Sequence, residues 1–129
     1  LISSGEMKSK VDLLEACKLL GERGYDLYAS HGTQKFLEDN GIIATDVNWP
    51  DEDGDNNIKK MISEKQFDLI INIPKNVTRR ELTNGYIIRR AAVDYNIPLI
   101  TNARLASAFI TAFCKKDLED IEIKSWDEY

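Results

Sequence analysis

Histidine occurs once in this chain, at His31, and cysteine twice, at Cys17 and Cys114. A protein metal site needs several ligands at short, characteristic spacing, and a thiol redox motif needs two cysteines a few residues apart. The sequence offers neither pattern, so no metal site is expected, and both cysteines read as buried free thiols of a reducing compartment. Positive charge is also short. Seventeen Lys and Arg against 22 Asp and Glu give a formal net charge of −5, which argues against a nonspecific nucleic-acid surface. No apolar run approaches membrane-spanning length and no secretory signal is visible, so the expected setting is the cytoplasm, without a membrane partner. Repeats, low-complexity segments and internal linkers are missing as well. The chain opens on Leu1 rather than methionine and reads as a strand at once, which suggests a piece of something longer.

What is present suits one globular domain over residues 1–129, with a C-terminal tail from residue 113: 43% of residues are hydrophobic and 30% charged. Strand-like and helix-like stretches alternate. A strand at Leu1-Ile2-Ser3-Ser4-Gly5 leads through a polar link over residues 6–10 into a helix. That helix carries Leu13, Ala16, Cys17 and Leu20 on one stripe and ends at Gly24. A second strand at residues 26–29 runs through a polar, glycine-containing turn into a two-turn helix closed by Asn40-Gly41. A β-branched third strand spans residues 42–47. Trp49-Pro50 then opens an acidic loop over residues 51–55, expected to be simply solvated. Ile58, Met61 and Ile62 mark a helix with Asp55 or Asn56 as cap. Residues 67–73 form a nearly continuous apolar strand, covered on both faces, followed by a polar loop over 74–80. The next helix turns Ile88, Ala91, Ala92 and Tyr95 inward, and a fifth strand covers 97–101. The last helix buries Ala106, Phe109, Ile110 and Phe113, and Ile121 and Ile123 hint at a short edge strand in the tail.

Strands alternating with helices imply parallel pairing and helices on both faces, an α/β three-layer α/β/α sandwich around a mainly parallel five-stranded sheet. In such sheets ligands gather outside the carboxyl ends of the strands. The polar segments 3–10, 30–33, 48–57, 72–80 and 101–104 all fall on that edge. The expected pocket is rich in hydroxyls and amides, with Lys8, Lys10, Lys75, Arg79 and Arg80 as candidate cations. At Ser30-His31-Gly32-Thr33 two hydroxyls and a glycine meet a helix N-terminus, a setting for a phosphate or carboxylate. The plainer alternative is that Thr33 caps the helix and Gly32 permits the turn. His31 is expected as a turn residue beside that anion and in reach of it. At least one of Arg89 and Arg90 is expected in a structural role, facing solvent or paired with Asp94, Asp68 or Glu81, rather than in contact with a ligand. Arg104 reads equally as a surface residue or a lid contact.

Several segments together resemble the methylglyoxal-synthase-like domain that ends the large subunit of carbamoyl phosphate synthetase. They are Gly24-Tyr25-Asp26-Leu27-Tyr28-Ala29-Ser30-His31-Gly32-Thr33, Val47-Asn48-Trp49-Pro50, Leu69-Ile70-Ile71-Asn72-Ile73-Pro74, Tyr86-Ile87-Ile88-Arg89-Arg90-Ala91-Ala92-Val93-Asp94 and Ile97-Pro98-Leu99-Ile100-Thr101-Asn102. The resemblance implies a regulatory domain that binds a small anionic allosteric effector and catalyses nothing itself. It implies no cofactor in this domain, with ATP and Mg or Mn confined to a parent enzyme that makes carbamoyl phosphate for pyrimidine and arginine biosynthesis. Implied partners are the synthetase domains and a glutamine amidotransferase subunit. A third possibility is a pure interaction domain with a vestigial pocket.

Methylglyoxal synthase itself, a lyase acting on dihydroxyacetone phosphate, offers a contrast. Asp55 falls where that enzyme keeps its base, Lys75 where it keeps a partner carboxylate, and Gly5-Glu6 where it keeps a histidine–aspartate pair. A lone carboxylate does not support enediol chemistry, so Asp55 is expected as a helix cap. Nucleotide-regulated relatives look similar at Ser30, Thr33 and Asn72 but carry lysine where this chain has Trp49. Lys8, Lys10 or Lys75 would then supply the phosphate's cation. Relatives activated by N-acetylglutamate look similar at Ser30 (threonine there), Thr33, Trp49 and Asn72 but carry asparagine where this chain has Lys75. An ammonium at Lys75 favours the more highly charged ligand, and Trp49 suits a base or an acyl chain alike. The implied effector is a uridine nucleotide or phosphoribosyl pyrophosphate, with N-acetylglutamate as the alternative. The implied site is Ser30, Thr33, Trp49, Asn72, Lys75, Lys10, Lys8 and Asn76.

Overall fold

A computed structural model describes residues 1–5, 7–74 and 78–115. Five strands and five helices alternate through them: β1 (Ile2–Ser4), α1 (Met7–Glu22), β2 (Tyr28–Ser30), α2 (His31–Asp39), β3 (Thr45–Val47), α3 (Ile58–Ser63), β4 (Ile70–Ile73), α4 (Arg79–Asp94), β5 (Leu99–Ile100) and α5 (Ala103–Lys115). All strand pairs are parallel, in the order β3-β2-β1-β4-β5. The α/β sandwich expected from the alternation is therefore present, with every strand parallel. No helix of the described residues is long and apolar enough to cross a membrane.

Period-two alternation divides the strands between two cores. Ile2, Ala29 and Ile71 face one layer, where Leu13, Ala16 and Cys17 of α1, Leu37 of α2, and Ala106, Ile110 and Cys114 of α5 bury them. Val47 and Ile70 face the other, against Ile58, Met61 and Ile62 of α3 and Ile88, Ala91 and Ala92 of α4. Both cysteines are buried free thiols, and burial pushes the Cys17 thiol up to about 12. Sheet order runs one way from β1 to β2 and β3 and the other way to β4 and β5. The chain therefore reverses at β1 and β4, where open parallel sheets leave a crevice.

Boundaries differ from the sequence reading for local reasons. Met7–Lys10 belong to α1 rather than to a link, since lysine is a good helix former. No turn separates β2 from α2: His31 is the first helical residue directly after Ser30, and Gly32 lies within the first turn. β3 and β4 are shorter than their apolar runs because the ladders extend only where neighbours pair. Ile43 is left 93% exposed, and Phe67 sets its ring edge-on to Tyr28 at 5.5 Å. α3 is capped by Asn57, whose side chain accepts from Lys60 N–H; Asp55 instead pairs with Lys60 Nζ at 2.9 Å. That corrects the cap assigned to Asp55 or Asn56. Thr78 caps α4 by accepting from Glu81 N–H, so helix begins inside the expected 74–80 loop. Tyr95, at the C-cap of α4, is exposed rather than inward. Phe109 and Phe113 are half exposed, stacked at 6.2 Å with Phe113 tilted on Tyr25. The suggested edge strand at Ile121 and Ile123 lies outside the described residues.

Candidate functional site

A cavity of about 290 Å³ opens at the carboxyl ends of the strands, at the point where the sheet order reverses. β1 contributes Ser3, Ser4 and Gly5; the β2–α2 junction contributes Ser30, Gly32 and Thr33; β4 contributes Asn72, Ile73 and Pro74. Trp49 forms one wall, Lys10 of α1 another, and α4 supplies Arg80, Glu81, Asn84, Gly85 and Arg89. Four of the five polar segments expected on this edge meet here. Residues 101–104 are not part of the lining, and Arg104 is a surface residue.

The hydroxyls form a connected set. Ser30 Oγ donates to Ser3 Oγ at 3.2 Å, so the pair retains one hydroxyl hydrogen without a described acceptor. Thr33 Oγ1 donates to Ser4 O and accepts from Ser4 N–H, both at 3.1 Å. It therefore caps nothing in α2 and stitches that helix to the end of β1. Ser30 is the N-cap residue of α2 but makes no side-chain cap hydrogen bond, which leaves the first-turn N–H groups to water or a ligand. Two buried polar atoms in the lining, Ser4 Oγ and Asn84 Oδ1, have no partner among the described residues, and their residues are only 5% and 3% exposed. Such atoms are costly unless something hydrogen-bonds them.

The cations divide sharply. Arg80 is neutralised: Nε donates to Asp51 Oδ2 at 2.6 Å and Nη2 to Asp51 Oδ1 at 3.2 Å. The Arg80 guanidinium in turn holds the Asp51 carboxyl below its ordinary range. Arg89 is not neutralised. Its one described hydrogen bond runs from Nη1 to the neutral Asn72 Oδ1 at 2.7 Å, and no carboxylate among the described residues forms an ion pair with it. Gly85 makes room for this pose, since a Cβ there would sit 2.9 Å from Arg89 Nη1. The structural role expected for at least one of the two neighbouring arginines is met by Arg90, which pairs with Asp94, while Arg89 lies across the cavity. Lys10 Nζ reaches over α2, 3.5 Å from where a Gly32 Cβ would be. Lys8 and Arg79 are exposed and do not line the cavity, because their positions on α1 and α4 turn outward. Lys75 and Asn76 lie outside the described residues.

The acidic loop is not merely solvated. Asp51 also accepts from Asn84 Nδ2, and Glu52 Oε1 accepts from Trp49 N–H at 2.8 Å. His31 is not free to contact a ligand: Nδ1 lies 2.6 Å from Asp46 Oδ1, and Nε2 lies 3.0 Å from Glu52 Oε1. Partial burial opposes the charge, but hydrogen bonds to Glu52 and Asp46 outweigh it and raise the imidazole above its ordinary value. Among the described residues no group of three or more His, Cys, Asp or Glu is placed to hold a metal ion. The Asp55 carboxylate is fully exposed and outside the lining.

Sequence reasoning missed Asn84 and the place of Arg89 in the lining; Ser3 and Ser4 lie in the 3–10 segment expected on this edge but were not named as site residues. One signal was available: Gly85 and Arg89 stand four apart, on a single face of α4.

The MGS-like domain family matches residues 12–101. The chain is 40% identical over 115 residues to the multifunctional protein pyr1-3 of Dictyostelium discoideum, covering 85% of this chain and 5% of that one. It is 40% identical over 126 residues to the multifunctional protein CAD of Squalus acanthias, covering 87% and 6%. It is 39% identical over 106 residues to the human mitochondrial carbamoyl-phosphate synthase [ammonia], covering 79% and 7%. The chain thus spans only about one twentieth of the length of these relatives. Among solved structures, methylglyoxal synthase from Elizabethkingia anophelis NUHP1 superposes with a TM-score of 0.59 at 18% identity, over 92% of this chain and 78% of that one. At that identity the likeness establishes the fold alone.

Proposed function

The chain belongs to the MGS-like domain family, and from that premise we propose that it is an effector-binding regulatory domain of a carbamoyl phosphate synthetase. Its ligand is a small anion, a uridine nucleotide or phosphoribosyl pyrophosphate. The observation that carries this reading is Arg89, a guanidinium without a carboxylate partner among the described residues, laid across a cavity in which the Ser4 hydroxyl has no partner among those residues either. An anion placed there gains charge-assisted hydrogen bonds from a fork of N–H groups, together with hydroxyl donors and the first turn of α2. The cavity, at about 290 Å³, lies near the small end of ligand sites and suits a metabolite rather than a polymer.

The parent assignment rests on the relatives, whose segments matching this chain sit within much longer proteins. It brings the synthetase domains and a glutamine amidotransferase as partners. ATP and divalent metal act in the parent and not in this domain, which uses no cofactor, nucleic acid or membrane. The cytoplasm is the proposed compartment, in keeping with two free, buried thiols.

A non-catalytic role is supported by the lining. Glu81 is the one carboxylate that lines the cavity among the described residues, and Asp55 is spent on Lys60 at the surface. Trp49 lines the cavity, and the resemblance at that position to relatives activated by N-acetylglutamate makes N-acetylglutamate the second ligand to try.

The test is calorimetric titration with a uridine nucleotide, phosphoribosyl pyrophosphate and N-acetylglutamate, run beside an assay of phosphate release from dihydroxyacetone phosphate. Binding of a phosphorylated ligand without phosphate release is the expected result. Binding of N-acetylglutamate alone moves the assignment to the second ligand, and phosphate release overturns the regulatory reading.

A further inference from the structure

His31 is the chain's only histidine, and both of its ring nitrogens meet carboxylates: Asp46 from β3 at 2.6 Å and Glu52 from the following loop at 3.0 Å. A neutral imidazole has a single N–H and a lone pair on its other nitrogen, so it satisfies one of these contacts and repels the other. Only the imidazolium serves both. The same Glu52 Oε1 that meets His31 also accepts Trp49 N–H, and Trp49 is a wall of the cavity. On the other side, Ser30 and Gly32, the neighbours of His31 in the chain, line that cavity too. One protonated ring therefore ties the first turn of α2 to β3 and to the Trp49 segment.

Resting on the ligand-binding reading above, we propose that His31 is a positioning residue whose imidazolium clasps the Trp49 wall to the start of α2, so that anion binding in the cavity weakens when that proton leaves. The charged groups around the clasp fit this role. Asp46 and Glu52 face the ring directly. Arg80 of α4 adds a positive field at Glu52, and Lys10 of α1 reaches over Gly32. Lys35, one turn along α2, is exposed. Loss of the proton releases one carboxylate arm and removes a positive charge beside the anion site. Both changes act in the same direction on an anion.

The single histidine and the two tryptophans make the test direct. In a Trp126→Phe background, Trp49 is the sole indole. Its emission is followed between about pH 6 and about pH 9 beside the NMR titration of the one imidazole. Sulfate, whose charge is fixed over that range, is the binding probe. The expected result is a single midpoint shared by ring and indole, a loss of sulfate affinity of about three- to tenfold across it, and a flat response of both in His31→Gln. Should that variant fail to fold, Asp46→Asn serves instead and lowers the shared midpoint. An indole signal that ignores the imidazole titration overturns the clasp, as does a sulfate profile unchanged in His31→Gln; the ligand-binding reading survives both. Indole and ring titrating together while sulfate binds at no pH leaves the clasp standing and removes the ligand-binding reading.

Discussion

Arg89 concentrates the charge argument in one side chain. Replacing it with methionine keeps the stem that packs along α4 and removes the only guanidinium in the lining that lacks a carboxylate among the described residues. The expected outcome is a loss of about tenfold or more in affinity for a phosphorylated ligand, as one charge-assisted interaction is worth about 1.5–3 kcal/mol. Calorimetry measures it, and Arg89→Lys should recover only part, because a point charge cannot present a planar fork. Thr33→Ala should behave differently. The Thr33 hydroxyl satisfies Ser4 N–H and Ser4 O, so its loss orphans buried backbone groups and costs about 1–3 kcal/mol of stability, read as a lower denaturation midpoint. At this scale Ser30 and Asn72 were legible as polar residues near the ends of apolar strands, and Thr33 as a hydroxyl in the first turn of the helix that follows. Arg89 was not. Gly85, four residues before it, leaves room for the side chain to fold back, but Asn72, the partner of Arg89, stands on β4, and only the fold brings the two together.

Among the elements, α3 gives the cleanest test. Asn57 accepts Lys60 N–H and donates through Nδ2 to Trp49 O, Pro50 O and Glu52 O, at 2.9, 3.2 and 2.6 Å. It thus caps the helix and also ties down the loop that carries the Trp49 wall. Asn57→Ala should cost about 2 kcal/mol and weaken ligand binding as well. Asp55→Ala, two residues earlier on a fully exposed side chain, should leave the unfolding temperature unchanged. Chemical denaturation of the pair separates the cap from its neighbour. The sequence showed that a helix starts here but not which polar residue caps it, because Asp55, Asn56 and Asn57 all have capping chemistry and backbone geometry selects among them. The same limit applies to Phe109 and Phe113: helical spacing puts them on the stripe with Ala106 and Ile110, yet the packed layer ends before it covers them.

For the molecule as a whole, the alternation of strands and helices was enough to give a parallel sheet with a pocket at its carboxyl edge. The order β3-β2-β1-β4-β5 was not readable from it, since local patterns do not say which side of β1 each later strand joins. Stability should also carry a pH signature. The folded-state value of His31 is raised, so its contribution is fully present below the ordinary histidine value of about 6.5 and is lost as pH rises through the raised value. Thermal unfolding should show a small decline on that alkaline limb, absent in His31→Gln. Asp51 and Glu52 are lowered, by Arg80 and by Trp49 N–H respectively. Their contribution is present above the ordinary carboxylate value and is lost as pH falls through the lowered one.

A small anion seated where β1, β4 and the start of α2 converge is open to amide NMR mapping during titration with uridine monophosphate. Saturable shifts concentrated at Ser3, Ser4, Ser30, Gly32, Thr33 and Asn72 are expected, needing about tenfold or more ligand to saturate in Arg89→Met. Saturable shifts confined to other surfaces, with these six amides unmoved, would contradict that placement.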